Sequence, residues 1–259
     1  MSFQIYDYRT TNSNVLITPE IRARLYHMKP GQVDSWHSHD LGHEVFLILE
    51  GQAEFNIDHT KQILGPGQMC IARADEIHQV RNMLPDKETV MYLSVTPHVQ
   101  PTHTGRTDAD EKMPPNFTPN ANYNDPTDLS IPVADLLARH LDAADQMVET
   151  ARAFAVTQHE MADALHKARA AGDMAAAEQA RNAMWDAVYL LHKQLYALDR
   201  VWNELAPQAT EAAGAPQTMK KANSNYDLVP GVAEELITPA KGTPNFELTQ
   251  QEKKNSRFW

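Results

Sequence analysis

The stretch Gly31-QVDSW-His37-Ser38-His39-DLGH-Glu44-VFLILE-Gly51 decides how the rest of the chain is read. Residues two apart on a strand project to the same face, so His37 and His39 can point together into a barrel. Glu44, returning on the next strand, can bring a carboxylate to the same point. A second stretch, Gly67-QMCIA-Arg73-Ala74-Asp75-EI-His78-QVR-Asn82, reads as a later strand and supplies another imidazole. Three imidazoles and one carboxylate suit a mononuclear Fe(II), Mn(II), Ni(II), Cu(II) or Zn(II) centre. Such a set leaves coordination positions open for water or substrate.

Working outward, the first hundred residues hold short alternating runs: Ile21 to Met28, Val45 to Leu49, Ala53 to Ile57 and Thr89 to Val95. Pro30-Gly31, Gly51, Gly65-Pro66-Gly67 and Pro85-Asp86 bound them. Short strands with these turn residues predict an antiparallel sandwich or barrel over 1–100. Residues 101–130 are crowded with proline, Asn, Thr and Asp, and read as an extended linker without regular structure. From 131 to 206 the chain is dense in Ala, Leu, Met, Gln and Glu, with Gly172 its single glycine, and predicts an antiparallel helical hairpin. Ser130 or Asp128 is the expected cap at its start. Gly172 closes the first helix and Asp173 caps the second. Residues 207–259 read as an extended polar tail.

The two histidine stretches resemble the motifs of the cupin superfamily, in its single-barrel form. The first motif, G-x5-H-x-H-x3,4-E-x6-G, is matched by Gly31, His37, His39, Glu44 and Gly51. The second, G-x5-P-x-G-x2-H-x3-N, is matched by Gly67, His78 and Asn82, with Arg73 at the proline position and Asp75 at the glycine. The resemblance implies a double-stranded β-helix (jelly-roll) barrel and a metal held by His37, His39, Glu44 and His78 in its open end. Cupins with this ligand set include dioxygenases, decarboxylases, lyases and isomerases. Of these a dioxygenase-like Fe(II) oxidoreductase acting on a small organic molecule is favoured, since mixed His/Glu ligation supports redox-active iron. The competing reading is a non-catalytic metal- or metabolite-binding or sensing protein whose hairpin serves oligomerisation or partner docking.

Arg22, Arg24 and Tyr26 share one strand face. Turned inward, Arg24 and Tyr26 are the candidate catalytic pair, one clamping a substrate carboxylate and the other supplying a proton. Turned outward, they are solvated rim residues. His43 falls on the face opposite Glu44, and Asn82 either bonds near the site or supports a turn. On the helices, His159, Asp163 and His166 share a face that reads as solvated. Met184, Val188, Leu191, Leu195, Leu198, Trp202 and Leu205 form a heptad seam beside a stripe of Trp185, Tyr189, His192 and Tyr196. The first helix offers Ala144, Val148, Ala151, Ala155 and Ala162. The combined apolar width predicts either a homodimer through a four-helix bundle, which is favoured because arms of this length overhang a small barrel, or an intrachain helical lid over the metal mouth.

The 23 basic and 34 acidic residues give a net charge of −11, without a dense Lys/Arg block, which argues against nucleic-acid and anionic-membrane surfaces. Cys70 is the single cysteine, so no intrachain disulfide forms. The opening MSFQIYDYRT lacks the apolar stretch of a signal peptide. The longest aliphatic-aromatic run, Val45 to Leu49, is far short of the roughly 20 residues that span a bilayer. A cytoplasmic protein is the expectation.

Overall fold

The computed structural model describes residues 3–117 and 130–211. Ten strands precede two helices: β1 (Ser13–Thr18), β2 (Ile21–Met28), β3 (His37–Ser38), β4 (His43–Glu50), β5 (Ala53–Ile57), β6 (Thr60–Leu64), β7 (Met69–Ala72), β8 (His78–Asn82), β9 (Thr89–Thr96), β10 (Thr104–Gly105), α1 (Val133–Ala171) and α2 (Met174–Glu211). The strands form two antiparallel sheets, ordered β1-β2-β9-β4-β7 and β10-β3-β8-β5-β6. Chain neighbours repeatedly fall in opposite sheets, so the barrel closes by crossovers between them.

Alternation builds the core. On β4, Glu44, Phe46 and Ile48 are buried while His43 and Glu50 are exposed. Phe46 and Ile48 meet Phe55 and Val80 of the opposite sheet, with Met28, Met91 and Leu93 completing the layer. The Phe46 and Phe55 ring centroids stand 5.0 Å apart. Cys70 packs half-buried against this layer, and burial raises its thiol pKa to about 12, with the Glu44 charge adding to the rise. It is a packing residue, not a nucleophile.

The stretch from Gly67 to Asn82 is two strands, not one. Met69–Ala72 pairs with β4 in the first sheet, whereas His78–Asn82 pairs with β5 and β3 in the second. The intervening turn carries the chain across the barrel. Asp75, at the motif's glycine position, adopts φ 65°, and its N–H donates to the His39 carbonyl at 2.9 Å. Aspartate tolerates this left-handed conformation better than most side chains. The departure from the motif therefore preserves the turn.

The segment after Pro101, expected as linker, first returns to the barrel. Thr104 and Gly105 pair with Ser38 and His37, and Arg106 pairs with Lys112 in an isolated bridge. Residues 118–129 lie outside the described residues, as do 212–259, which include nearly all of the expected tail.

The helices run for 39 and 38 residues. Gly172, at φ 72°, caps the C-terminus of α1, where its N–H donates to helix carbonyls. The Asp173 carboxylate accepts from the Ala176 N–H at 3.0 Å, as expected of a cap. The start of α1 differs from expectation. Pro132 is its N-cap residue, without a side-chain cap bond, and its carbonyl accepts from the Asp135 and Leu136 N–H groups. Helix α2 continues through Pro207 to Glu211 instead of stopping at 206. Burial of Leu205, Ala206 and Gln208 anchors that last stretch.

The inward register of α1 is also corrected. Leu136, His140, Ala143, Met147, Phe154, Met161 and Ala168 face α2, while Val148, Ala155 and Ala162 are exposed. On α2, Gln194 takes the inward place expected of Leu195 and donates across the hairpin to the Ala143 carbonyl at 3.2 Å. Among the described residues no helix is long and apolar enough to cross a membrane.

Candidate metal centre

Pairing across the second sheet sets His37 opposite His78. His39 follows β3 directly, and Glu44 enters from β4 of the facing sheet. One ligand atom from each of His37, His39, Glu44 and His78 falls within 4.8 Å of every other. Glu44 is the focus. Its Oε2 stands 2.9 Å from His39 Nε2, 3.0 Å from His78 Nε2 and 3.9 Å from His37 Nε2. Its Oε1 lies 3.5 Å from an Arg22 Nη2, so the two carboxylate oxygens have separate tasks.

The outer nitrogens of the three rings settle their tautomers. His37 Nδ1 bonds the Ser35 carbonyl at 2.9 Å, His78 Nδ1 bonds the Glu76 carbonyl at 2.9 Å, and His39 Nδ1 bonds the Thr102 carbonyl. A carbonyl only accepts, so each Nδ1 must hold a proton. In a neutral ring the Nε2 then carries a lone pair, and all three point at one carboxylate oxygen. Lone pairs gathered this way need a cation among them. The donor set and its backbone supports therefore fit a divalent metal ion.

Electrostatics agree. Burial, together with the neighbouring His78, lowers the His37 pKa to about 3, which keeps that ring neutral. Burial alone would raise the Glu44 pKa, but positive charge and hydrogen-bond donation from the His39 and His78 side, where a bound cation would supply the charge instead, outweigh it and hold the carboxyl well below the usual range. His37 is the most open of the four, with a side chain 13% exposed against 1–3% for the others.

Arg24 and Tyr26 face inward with Arg22 and Met28, so the rim reading is replaced. Arg22 and Arg24 are buried, and Tyr26 packs against the core layer. The Arg24 guanidinium stands 5.1 Å from the Tyr26 ring centre. Tyr26 donates to Asp34 Oδ1 at 3.1 Å and accepts from Gln32 Nε2 at 2.6 Å. Burial, reinforced by Asp34, pushes the phenol pKa up and keeps it protonated. Of the three, Arg22 is the one that meets Glu44.

Of Asn82's two readings the structure takes turn support, and one residue, His103, was missed from sequence. Asn82 is buried away from the ligands. Its Nδ2 lies 2.8–3.0 Å from the carbonyls of Met28, Lys29 and Lys87, and its Oδ1 accepts from Leu84 and Thr89, so it supports turns. His103, inside the expected linker, sets its ring 4.8 Å from that of His37 and 4.6 Å from that of His39. Its one signal was an imidazole in a segment otherwise dismissed for its prolines. His43 is exposed and accepts from the Ala74 N–H, while His159, Asp163 and His166 are exposed on α1.

Comparison with known proteins bears on the N-terminal part of the chain. The sequence model of the Cupin domain family matches residues 24–96. A search of curated proteins finds no match. Similar solved structures include an uncharacterised conserved protein with a double-stranded β-helix domain from Klebsiella pneumoniae. It is 23% identical over 37% of this chain and 91% of that one, with a TM-score of 0.34. TT1209 from Thermus thermophilus is 23% identical over 37% and 98%, with a TM-score of 0.35. KdgF from Halomonas sp. is 20% identical over 38% and 79%, with a TM-score of 0.31. With its family motifs folded into two facing sheets, the N-terminal part of this chain is a cupin domain, followed by two long helices.

Proposed function

We propose that this protein is a metal-dependent enzyme that binds one divalent transition metal through His37, His39, Glu44 and His78 and acts on a small organic molecule at the barrel mouth. The observation that carries the reading is the convergence of three carbonyl-oriented imidazoles on one oxygen of Glu44. Fe(II) is the preferred ion, with Mn, Ni, Cu or Zn as alternatives. When bound, such an ion polarises a substrate oxygen, and iron adds redox chemistry with O2.

The chain's own residues favour an anionic substrate. Arg22 offsets the Glu44 charge, and His37 stays neutral, so a divalent ion leaves the centre positively charged. A chelating oxygen anion answers that charge. Phe46, whose ring centre lies 5.9 Å from that of His78, closes the inner side against water. The mixed His/Glu ligation, which suits redox-active iron, favours a dioxygenase-like oxidoreductase, with lyase or isomerase chemistry as the other outcome.

Protein purified without added metal is expected to contain one ion per chain by elemental analysis. A His37→Ala/His78→Ala double variant is expected to lose it while its circular dichroism stays that of a folded barrel. Full stoichiometric metal in that variant overturns the assignment. Metal stripping is expected to lower stability, since an ion at 100 times its Kd adds about 2.7 kcal/mol to the folded state. Oxygen uptake with Fe(II) and a panel of β-diketones, catechols and thiols then separates an oxygenase from the non-catalytic binding protein, which takes up none.

A further inference from the structure

Helix α2 meets residues 98–103, a strap that leads to the metal centre, besides facing Glu20 of the β1–β2 turn with Lys193, Asp199 and Arg200. On the α2 side, Trp202 Nε1 donates to the Gln100 carbonyl at 2.6 Å, and Asn203 Nδ2 donates to the His98 carbonyl at 2.8 Å. Asn203 Oδ1 accepts from the Gln100 N–H at 2.8 Å. On the barrel side, the Thr102 carbonyl accepts from His39 Nδ1, and the His103 ring packs on those of His37 and His39. Two residues further on, Thr104 and Gly105 pair with β3, the strand that carries His37. Arg106 Nη2 then donates to Ser38 Oγ at 2.6 Å.

We propose that α2 is a positioning element of the metal centre: Trp202 and Asn203 clamp the strap whose Thr102 carbonyl and His103 ring hold His39 and His37 in their ligating orientation. The inference rests on the metal reading above and adds a function for the helical extension within the same site. The physical reason is the short path. Asn203 ties both ends of the tripeptide 98–100, and Thr102 is only two residues beyond it. If Asn203 is lost, the strap carbonyl that fixes the His39 tautomer loses its anchor, and so does the ring that packs against both histidines. Partners that orient metal-bound imidazoles in this way are typically worth about 10- to 100-fold in metal affinity.

The test is competition titration of the full chain with Mn(II) and Zn(II) against a chromophoric chelator, with thermal unfolding of the metal-free protein run alongside. Asn203→Ala is expected to weaken binding by about 10- to 100-fold. Trp202→Phe, which removes the indole N–H and its pyrrole ring but keeps an aromatic side chain against His140, is expected to weaken it less. His103→Ala is expected to weaken binding as Asn203→Ala does, and His103→Phe to restore it, because packing is the role assigned to that ring. Asn182→Ala, an exposed change on the same helix, is the control and is expected to bind as wild type. Wild-type affinity in Asn203→Ala and Trp202→Phe overturns the proposal, and Trp202→Phe decides it should Asn203→Ala not fold. Failure of His103→Phe to recover overturns the positioning role of His103. A wild-type chain that takes up no ion overturns the metal reading itself, a result distinct from normal uptake unaffected by the variants.

Discussion

His98 illustrates how a single side chain ties the centre's surroundings to pH. It is 5% exposed, and burial, with repulsion from Arg22, lowers its pKa to about 3. In the unfolded chain it titrates near 6.5. As pH falls the unfolded state takes up the proton first, so stability present above about pH 6.5 is lost progressively down to about pH 3. At pH 5 the His98 share of that loss is about 2 kcal/mol. Urea unfolding at pH 7 and pH 5 is expected to show a fall smaller by about that amount in His98→Gln than in wild type. An equal fall in both contradicts the assignment. Asp75 makes a different point at this scale: a substituted motif position retains its role because the new side chain tolerates the same backbone conformation.

At the scale of elements, the turns that end β2 and begin β9 depend on one amide. Asn82 on β8 reaches carbonyls on both sides, those of Met28 and Lys29 and that of Lys87. Replacing it by alanine leaves unmade the buried Met28 contact, at about 1–3 kcal/mol, and the part-buried Lys29 and Lys87 contacts, which cost less because water reaches them. Asn82→Ala is therefore expected to lower stability by roughly 2–4 kcal/mol in chemical denaturation while leaving metal affinity unchanged. A loss of affinity without a loss of stability places Asn82 at the metal instead. The hairpin turn is less demanding. Gly172→Ala meets no neighbouring atoms, and only its φ of 72° opposes it, at about 1–2 kcal/mol.

For the whole molecule, the hairpin leaves one flank unusual. The positions that follow the inward residues are Leu137, Leu141, Ala144, Val148, Ala155, Ala162 and Arg169 on α1, and they include Trp185, His192 and Leu195 on α2. Because the helices are antiparallel, these lie on one side of the pair. Leu141 is 65% exposed and Trp185 62%. On α1 the opposite flank carries Asp135, Arg139, Asp142, Gln146, Glu149 and Glu160 instead. At about 1.5 Å rise per residue the apolar flank runs about 27 Å along α1, from Leu137 to Ala155, and about 15 Å along α2, from Trp185 to Leu195. We propose that a second copy of the hairpin covers it, giving a homodimer. Light scattering of the full chain is expected to give twice the 29.1 kDa chain mass, and Leu141→Asp with Trp185→Asp to give the monomer. A monomeric wild type at micromolar concentration overturns the dimer.

What the sequence by itself determined is local in origin. Spacing placed His37, His39, Glu44 and His78 as a set, because strand alternation and motif order travel with the chain. Helix-forming composition and the Gly172-Asp173 pair marked the hairpin, because caps and propensities act within a few residues. Tertiary structure decided what depends on partners distant in sequence. The face of Arg24 and Tyr26 was open until β2 was paired with β1 and β9. The inward register of α1 shifted by one residue from the stripe of small side chains, because packing against α2 chose Met147, Phe154 and Met161. His103 entered the centre through contacts made across more than sixty residues, Thr102 with His39 among them. Proline density describes how a segment cannot pair internally; it holds no information on the surface against which that segment is laid.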